Sequence, residues 1–286
     1  MVYYTNETKL FKGGIMKSKV MAFIRFVLIL IILACIAILG KRGLDYWTNM
    51  KNNRYIEDLS KEAEADVDKN EVGEVSTENV KDPLSRLEKI HLTLLKKLQE
   101  QNSDVIAVIE IPGTGIKYPI LQGPDNEFYL RKGLNKEYDI AGSIFMDVYN
   151  ASDITDDNSV IYGHHLEIDS MFTPLDQYRK QEFAEKNRTI YLTTKEGLRE
   201  YEIFSAYGTP SSSDYRTLDF TYDGDKVPYF NKLRSSSEVN LDTRAFTDDD
   251  TIITLSTCQY DYDDQRLAIH AVRIRWWDLK LIIREN

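Results

Sequence analysis

Residues 20–39 read VMAFIRFVLILIILACIAIL, twenty residues with Arg25 as the sole charge. A water-soluble fold has no place for so continuous an apolar run, and about 20 such residues make a helix that crosses a bilayer. Arg25 stands near the start of the run, where its long stem can carry the charge to the interface. Lys9, Lys12, Lys17 and Lys19 precede the run, and Lys41 and Arg42 follow it. The excess on the N-terminal side orients residues 1–19 inward and the bulk of the chain outward. A cleaved signal peptide would have a shorter apolar region and a small-residue cleavage site. Here the run exits into Gly40, Lys41 and Arg42, so an uncleaved anchor over residues 20–40 is expected. Codons for Lys12-Gly13-Gly14 can spell a purine-rich ribosome-binding stretch, which makes Met16 a second candidate start.

Charge divides the chain. Residues 1–56 carry nine Lys/Arg against two Asp/Glu, whereas residues 57–82 carry three against ten. The whole chain of 286 residues has a net charge of −10. An acidic main domain does not suit nucleic acid, whose binding rests on neutralising phosphates. Of the two cysteines, Cys35 falls in the apolar run and Cys258 far downstream, so the two do not pair. Outside a cell, Cys258 is then a lone thiol, either buried and inert or reactive.

Residues 41–82 have few large apolar side chains in their acidic part, and the expectation is a charged, solvated spacer, partly helical. From Asp82-Pro83 a helix opens, with Leu84, Leu87, His91, Leu94, Leu95 and Leu98 at helical spacing. His91 on that face is read as packing. Beyond Asp104 the pattern becomes short strands: 105–109, 116–121, 143–146, 159–162, 189–193, 201–207, 251–256 and 267–276, with helices at 171–186 and 227–233. Pro112-Gly113-Thr114-Gly115 marks the first turn. Many short strands with few long helices indicate a closed barrel or a sandwich.

Three places bear chemistry. Val160-Ile161-Tyr162-Gly163-His164-His165 ends a strand at a Gly, which turns the chain, and presents a histidine. Thr254-Leu255-Ser256-Thr257-Cys258 ends another strand at the thiol, and Arg266 begins the next. A thiolate is a strong nucleophile and forms more readily near a cation. A histidine can protonate a leaving amine, and an arginine can hold an oxyanion. Together these residues suit acyl transfer through a thioester. Alone, each has a bland reading as a structural or solvated residue. Asp261, Asp263 and Asp264 between Cys258 and Arg266 are read as a solvated acidic loop, and His270 as structural. One Cys and four scattered His in this pattern offer no zinc spacing, and no metal or cofactor is expected.

TLSTC followed by Arg266, with YGHH upstream, resembles the sortase signature TLxTC…R and its preceding His. The forms TLSTCxY at Thr254–Tyr260 and IYGHH, and the stretch LQGPDNEFYL from Leu121, are similar to class B sortases, over roughly Leu84 to the C-terminus. The resemblance implies an eight-stranded sortase-like β-barrel over residues 83–286, preceded by helices, spacer and anchor. It implies Cys258 as nucleophile, His164 as general acid with His165 as the alternative, and Arg266 as the oxyanion and substrate cation. It also implies backbone N–H groups of Cys258 and Gln259 at the oxyanion, and Asn126, Leu130 and Ser256 along the substrate groove. Tyr229 and Phe230 fall where class B enzymes cover that groove with a helix, a looser match. The implied reaction cuts a C-terminal sorting motif of secreted proteins after Thr and joins the Thr carbonyl to a peptidoglycan-precursor amine. NPxTx-like and PxTG-like motifs both remain open, as do a thiol protease that only hydrolyses and a non-catalytic binding domain. An L,D-transpeptidase would need His-Gly before the Cys, where Ser256-Thr257 stand.

Overall fold

The structure is a computed structural model that describes residues 7–72, 82–166, 170–218, 220, 224–258 and 264–274; at residues 7–19, 71, 72 and 258 it describes backbone alone. Two compact units, 1–50 and 51–286, are described separately. In the first, residues 7–50 belong to helix α1 (Glu7–Val72). Residues 20–50 include one stretch, the only one among the described residues, that is long and apolar enough to cross a membrane, with a mean hydropathy of 3.1.

In the second unit, residues 51–72 continue as helix. Here the structure departs from the solvated spacer. Leu59, Ala63 and Val67 are buried. Leu59 and Ala63 join Leu94, Leu95 and Leu98 in one apolar cluster. The reason is the spacing: positions 59, 63 and 67 recur every four residues and make a narrow stripe within an acidic sequence. Lys97 lies 2.9 Å from Asp66 and Arg86 2.9 Å from Asp68, so the acidic face meets the basic one. The compact catalytic unit therefore begins at the 51–72 helix, not at residue 83.

Helix α2 (Pro83–Gln101) starts where Asp82 accepts the Leu84 backbone N–H and Pro83 occupies the first turn. Its apolar stripe buries Ile90, His91, Leu94, Leu95 and Leu98. His91 is fully buried between Thr193 at 3.0 Å and Glu110 at 2.7 Å, a packing role as expected.

Eight strands among the described residues then close a barrel: β1 (Val105–Ile111), β2 (Ile116–Leu121), β3 (Ile144–Met146), β4 (Asn158–Gly163), β5 (Thr189–Thr194), β6 (Gly197–Pro210), β7 (Ile252–Cys258) and β8 (Gln265–Arg273). The order around the barrel is β1-β2-β3-β4-β7-β8-β6-β5. β2/β3 and β4/β7 are parallel and the other pairs antiparallel. The expected helix at 171–186 is a 3-10 stretch (Thr173–Arg179) followed by short α3 (Gln181–Lys186), and α4 spans Lys226–Ser235.

Side chains alternate across a strand, and the wall β4–β7–β8 uses both faces. Ile161, Ile253, Leu255, Leu267, Ile269 and Ala271 point into the barrel and belong to its central cluster. The opposite face carries Thr254, Ser256, Ala268 and His270, and Ala268 packs with Phe230 and Leu233 of α4. The chemistry is thus built on the outside of a filled barrel.

Candidate active site

The parallel register of β4 with β7 pairs Tyr162 with Ser256 and Gly163 with Thr257. His164 follows Gly163 directly in the chain, as Cys258 follows Thr257. The antiparallel register of β7 with β8 pairs Cys258 with Arg266. Neighbouring strands lie about 4.8 Å apart, so three distant positions become neighbours at one end of the wall. The side chain of Cys258, and Gln259, Asp261 and Asp263, lie outside the described residues.

Gly163 does not turn the chain. It is the last residue of β4 and pairs within the sheet. A Cβ there would stand 2.5 Å from the Phe172 ring and 2.6 Å from Ile144. Glycine is required because two core side chains press on the backbone just before His164.

A cleft of about 590 Å³, open to solvent, lies over this end of the wall. Its lining includes His164, Arg266, Asn126, Leu130 and Ser256, together with Phe145, Tyr162, Thr257 and Arg216. All the described side chains that the sequence singled out as primary site residues therefore meet in one place.

His164 Nε2 lies 2.8 Å from the Leu130 carbonyl oxygen. A carbonyl only accepts, so Nε2 carries the hydrogen and Nδ1 is the nitrogen left to exchange a proton. Burial lowers the His164 pKa below its usual value of 6.5, with Arg131 acting the same way, against the raising effects of the Leu130 carbonyl and Asp139. The ring rests neutral near pH 7. Asp139 is itself held by Asn52 at 2.6 Å, so the 51–72 helix supports the loop behind His164. His165 is engaged elsewhere, with Nε2 2.6 Å from Asp176.

Arg266 is 29% exposed along its side chain and pairs with Asp264 at 3.3 Å. Asp264 also accepts a hydrogen bond from the Ser211 hydroxyl. A pair this exposed contributes about 0–1 kcal/mol, so an anionic or carbonyl ligand can displace Asp264 at little cost.

Residues 109–274 match the family described as the Sortase domain. The chain belongs to the sortase family. It is 32% identical over 257 residues to sortase B of Listeria monocytogenes, covering 88% of this chain and 97% of that one. It is 36% identical over 177 residues to sortase B of Staphylococcus aureus, covering 62% of this chain and 72% of that one. A Staphylococcus aureus sortase B–substrate complex superposes with a TM-score of 0.60 at 34% identity, covering 64% and 85% of the two chains. The chain is a class B sortase, a cysteine transpeptidase.

In this sortase the groove residues are tied down. Asn126 donates to Asp147 at 3.1 Å and accepts from the Val148 N–H at 2.8 Å. The Ser256 hydroxyl shares a 2.8 Å hydrogen bond with Tyr215. Tyr229 and Phe230 lie on α4. The Tyr229 hydroxyl donates to the Asp214 carbonyl, and Phe230 is buried beneath. His270 is fully buried, and its Nδ1 lies 2.9 Å from Thr254 Oγ1, which makes it structural. Arg216 and Asp147 had no motif to announce them, and Tyr162 stood in the YGHH run without a role of its own. Tertiary packing brings Arg216 and Tyr162 to the cleft and sets Asp147 behind Tyr162 and Asn126.

Proposed function

We propose that this sortase cleaves a C-terminal sorting motif of secreted proteins after Thr and transfers the Thr carbonyl to a peptidoglycan-precursor amine. What supports the reading is the β4–β7–β8 register, which pairs Cys258 with Arg266 and pairs Gly163 and Thr257, the residues just before His164 and Cys258. The Cys258 thiol passes its proton to Nδ1 of His164, and the thiolate so formed attacks the Thr carbonyl carbon. Arg266 leaves Asp264 for the developing oxyanion, aided by the backbone N–H groups of Cys258 and Gln259. As the C–N bond breaks, protonated His164 gives its Nδ1 proton to the departing amine. A thioester remains. The incoming amine attacks it, returns a proton to His164, and expels the thiolate. One amide is exchanged for another, with no net redox change.

Asn126, Leu130 and Ser256, which line the cleft, lie along the path of the motif. Residues 20–40 hold the enzyme in the membrane by one helix, with residues 1–19 inside the cell and the catalytic unit outside. This keeps the thiol near both secreted protein and wall precursor.

The test uses the full chain in detergent micelles with fluorogenic peptides carrying NPQTN-, PPKTG- and LPETG-like motifs, with and without a glycine peptide or diaminopimelate. Cleavage after Thr that vanishes in Cys258→Ala, with an amine adduct by mass, is the expected result. Cys258-dependent cleavage yielding only free acid in every case would make the enzyme a hydrolase instead.

A further inference from the structure

The cleft holds a second guanidinium that the acyl transfer does not use. Arg216 lies in the segment between β6 and α4 and lines the same cleft as His164 and Arg266. It is exposed at the mouth, yet its place is built. Its guanidinium carbon stands 5.9 Å from the centre of the Tyr162 ring and 5.3 Å from that of Tyr215. Nη1 donates to the Tyr162 hydroxyl at 3.2 Å, and Nη2 donates to the Ser211 carbonyl at 3.1 Å. The Tyr162 hydroxyl in turn donates to Asp147 at 2.7 Å. Asp147 is buried and also accepts from Asn126. A buried carboxylate thus orients a phenol, and the phenol orients a cation at the cleft mouth.

This arrangement does more than cover two tyrosines. An arginine has five N–H donors in a rigid fork, and its two hydrogen bonds here leave the fork with capacity for a further acceptor. Among the described residues, those that line the cleft include two guanidiniums and no carboxylate, in a chain whose net charge is −10. Arg266 alone meets the need for a cation at the oxyanion. The remaining charge at the mouth favours an acceptor side chain on the entering peptide and repels a basic one.

We propose that Arg216 is a specificity-determining residue that reads an acidic side chain of the sorting peptide, held for that task by the Asp147–Tyr162 pair. This rests on the transpeptidase reading and adds to it a charge preference on the substrate. The contact binds the peptide in ground and transition states alike, so it acts through KM.

The experiment scans Glu and Lys through each position flanking the Thr of the cleaved motif, in the full chain in micelles. For the wild type, one position favours Glu over Lys by about two- to fivefold in kcat/KM, the upper part of the range for an exposed charge pair. Arg216→Gln removes that preference by raising KM for the Glu peptide with kcat unchanged. Arg216→Glu inverts it toward Lys, an outcome that a merely structural arginine does not give. Tyr162→Phe weakens the preference without inverting it. An equal Glu/Lys ratio in wild type and Arg216→Glu, with cleavage intact, overturns the assignment of Arg216 and leaves the transpeptidase reading standing. If no peptide is cleaved in a Cys258-dependent way, both fall.

Discussion

The two faces of the β4–β7–β8 wall are made by the same strands and do opposite work. The inner face is dominated by Ile161, Ile253, Leu255, Leu267 and Ile269, all buried in the barrel centre. The outer face is a chain of satisfied polar groups. Asn158 donates to the Thr217 carbonyl and accepts from Thr254, which contacts His270, and His270 meets Tyr207 at 3.3 Å. Because Thr254 donates to Asn158, its oxygen accepts from His270 Nδ1–H, and the ring is neutral with Nε2 accepting from Tyr207. Further along, Ser256 bonds Tyr215 and Tyr162 bonds Asp147. A period of two thus separates stability from chemistry within one sheet. The inner face tolerates any well-packed apolar set, whereas the outer face depends on each partner because an unpaired buried polar group is costly.

The sharpest way to break this contrast is on the inner face. Leu255→Ala should cost about 2–5 kcal/mol of stability, the range for a buried Leu truncated in a close-packed core. Urea unfolding reads that loss, while kcat/KM of the still-folded enzyme should stay within about twofold, since no cleft contact changes. A large kinetic loss in folded protein would mean that the two faces are coupled. Arg266→Ala should do the reverse, lowering kcat/KM by about 10²–10³ as for loss of one oxyanion donor. Its urea midpoint should barely move, because the exposed Asp264 pair contributes little.

His270 sharpens the comparison through pH. Burial pushes its pKa down from 6.5 to about 3. Between those values the unfolded chain binds a proton that the fold refuses, so this contribution is complete above pH 6.5 and falls as pH drops. The slope is about 1.4 kcal/mol per pH unit. His270→Gln lacks this titration, and urea midpoints measured from pH 7 to 5 should fall less steeply than in wild type. Equal slopes would place a proton on His270 in the fold. The smallest effect concerns His164, whose pKa is lowered by burial. The acidic limb of kcat/KM against pH should lie below 6.5, as a macroscopic value of the Cys258–His164 pair. A limb above 6.5 would mean that burial does not lower the His164 pKa in the working enzyme.

Local pattern carried much of this protein. Strands 116–121 and 251–256 are legible because apolar residues and turn signals recur at short range, and β2 spans Ile116–Leu121 as expected. The α2 stripe and its Asp82 cap are equally local. The 51–72 helix was not legible as part of the catalytic unit. Leu59, Ala63 and Val67 are too few, among acidic neighbours, to show that a partner surface waits on α2. Gly163 was legible as special but not why, since Phe172 and Ile144 press on it from other elements.

By itself, the sequence determined the elements, the apolar segment at 20–39, and the residue types able to perform acyl transfer, because each depends on neighbours a few positions apart. Tertiary structure decided that Cys258, Arg266 and His164 share one end of one wall, because strand pairing joins positions up to about a hundred residues apart. It also decided which polar residues serve the cleft and which serve the core. His270 and His164 are the same residue type, one within β8 and the other just past the end of β4. His270 is fully buried against Phe204 and Tyr207, while His164 lines an open cleft, and burial by distant residues is what tells them apart.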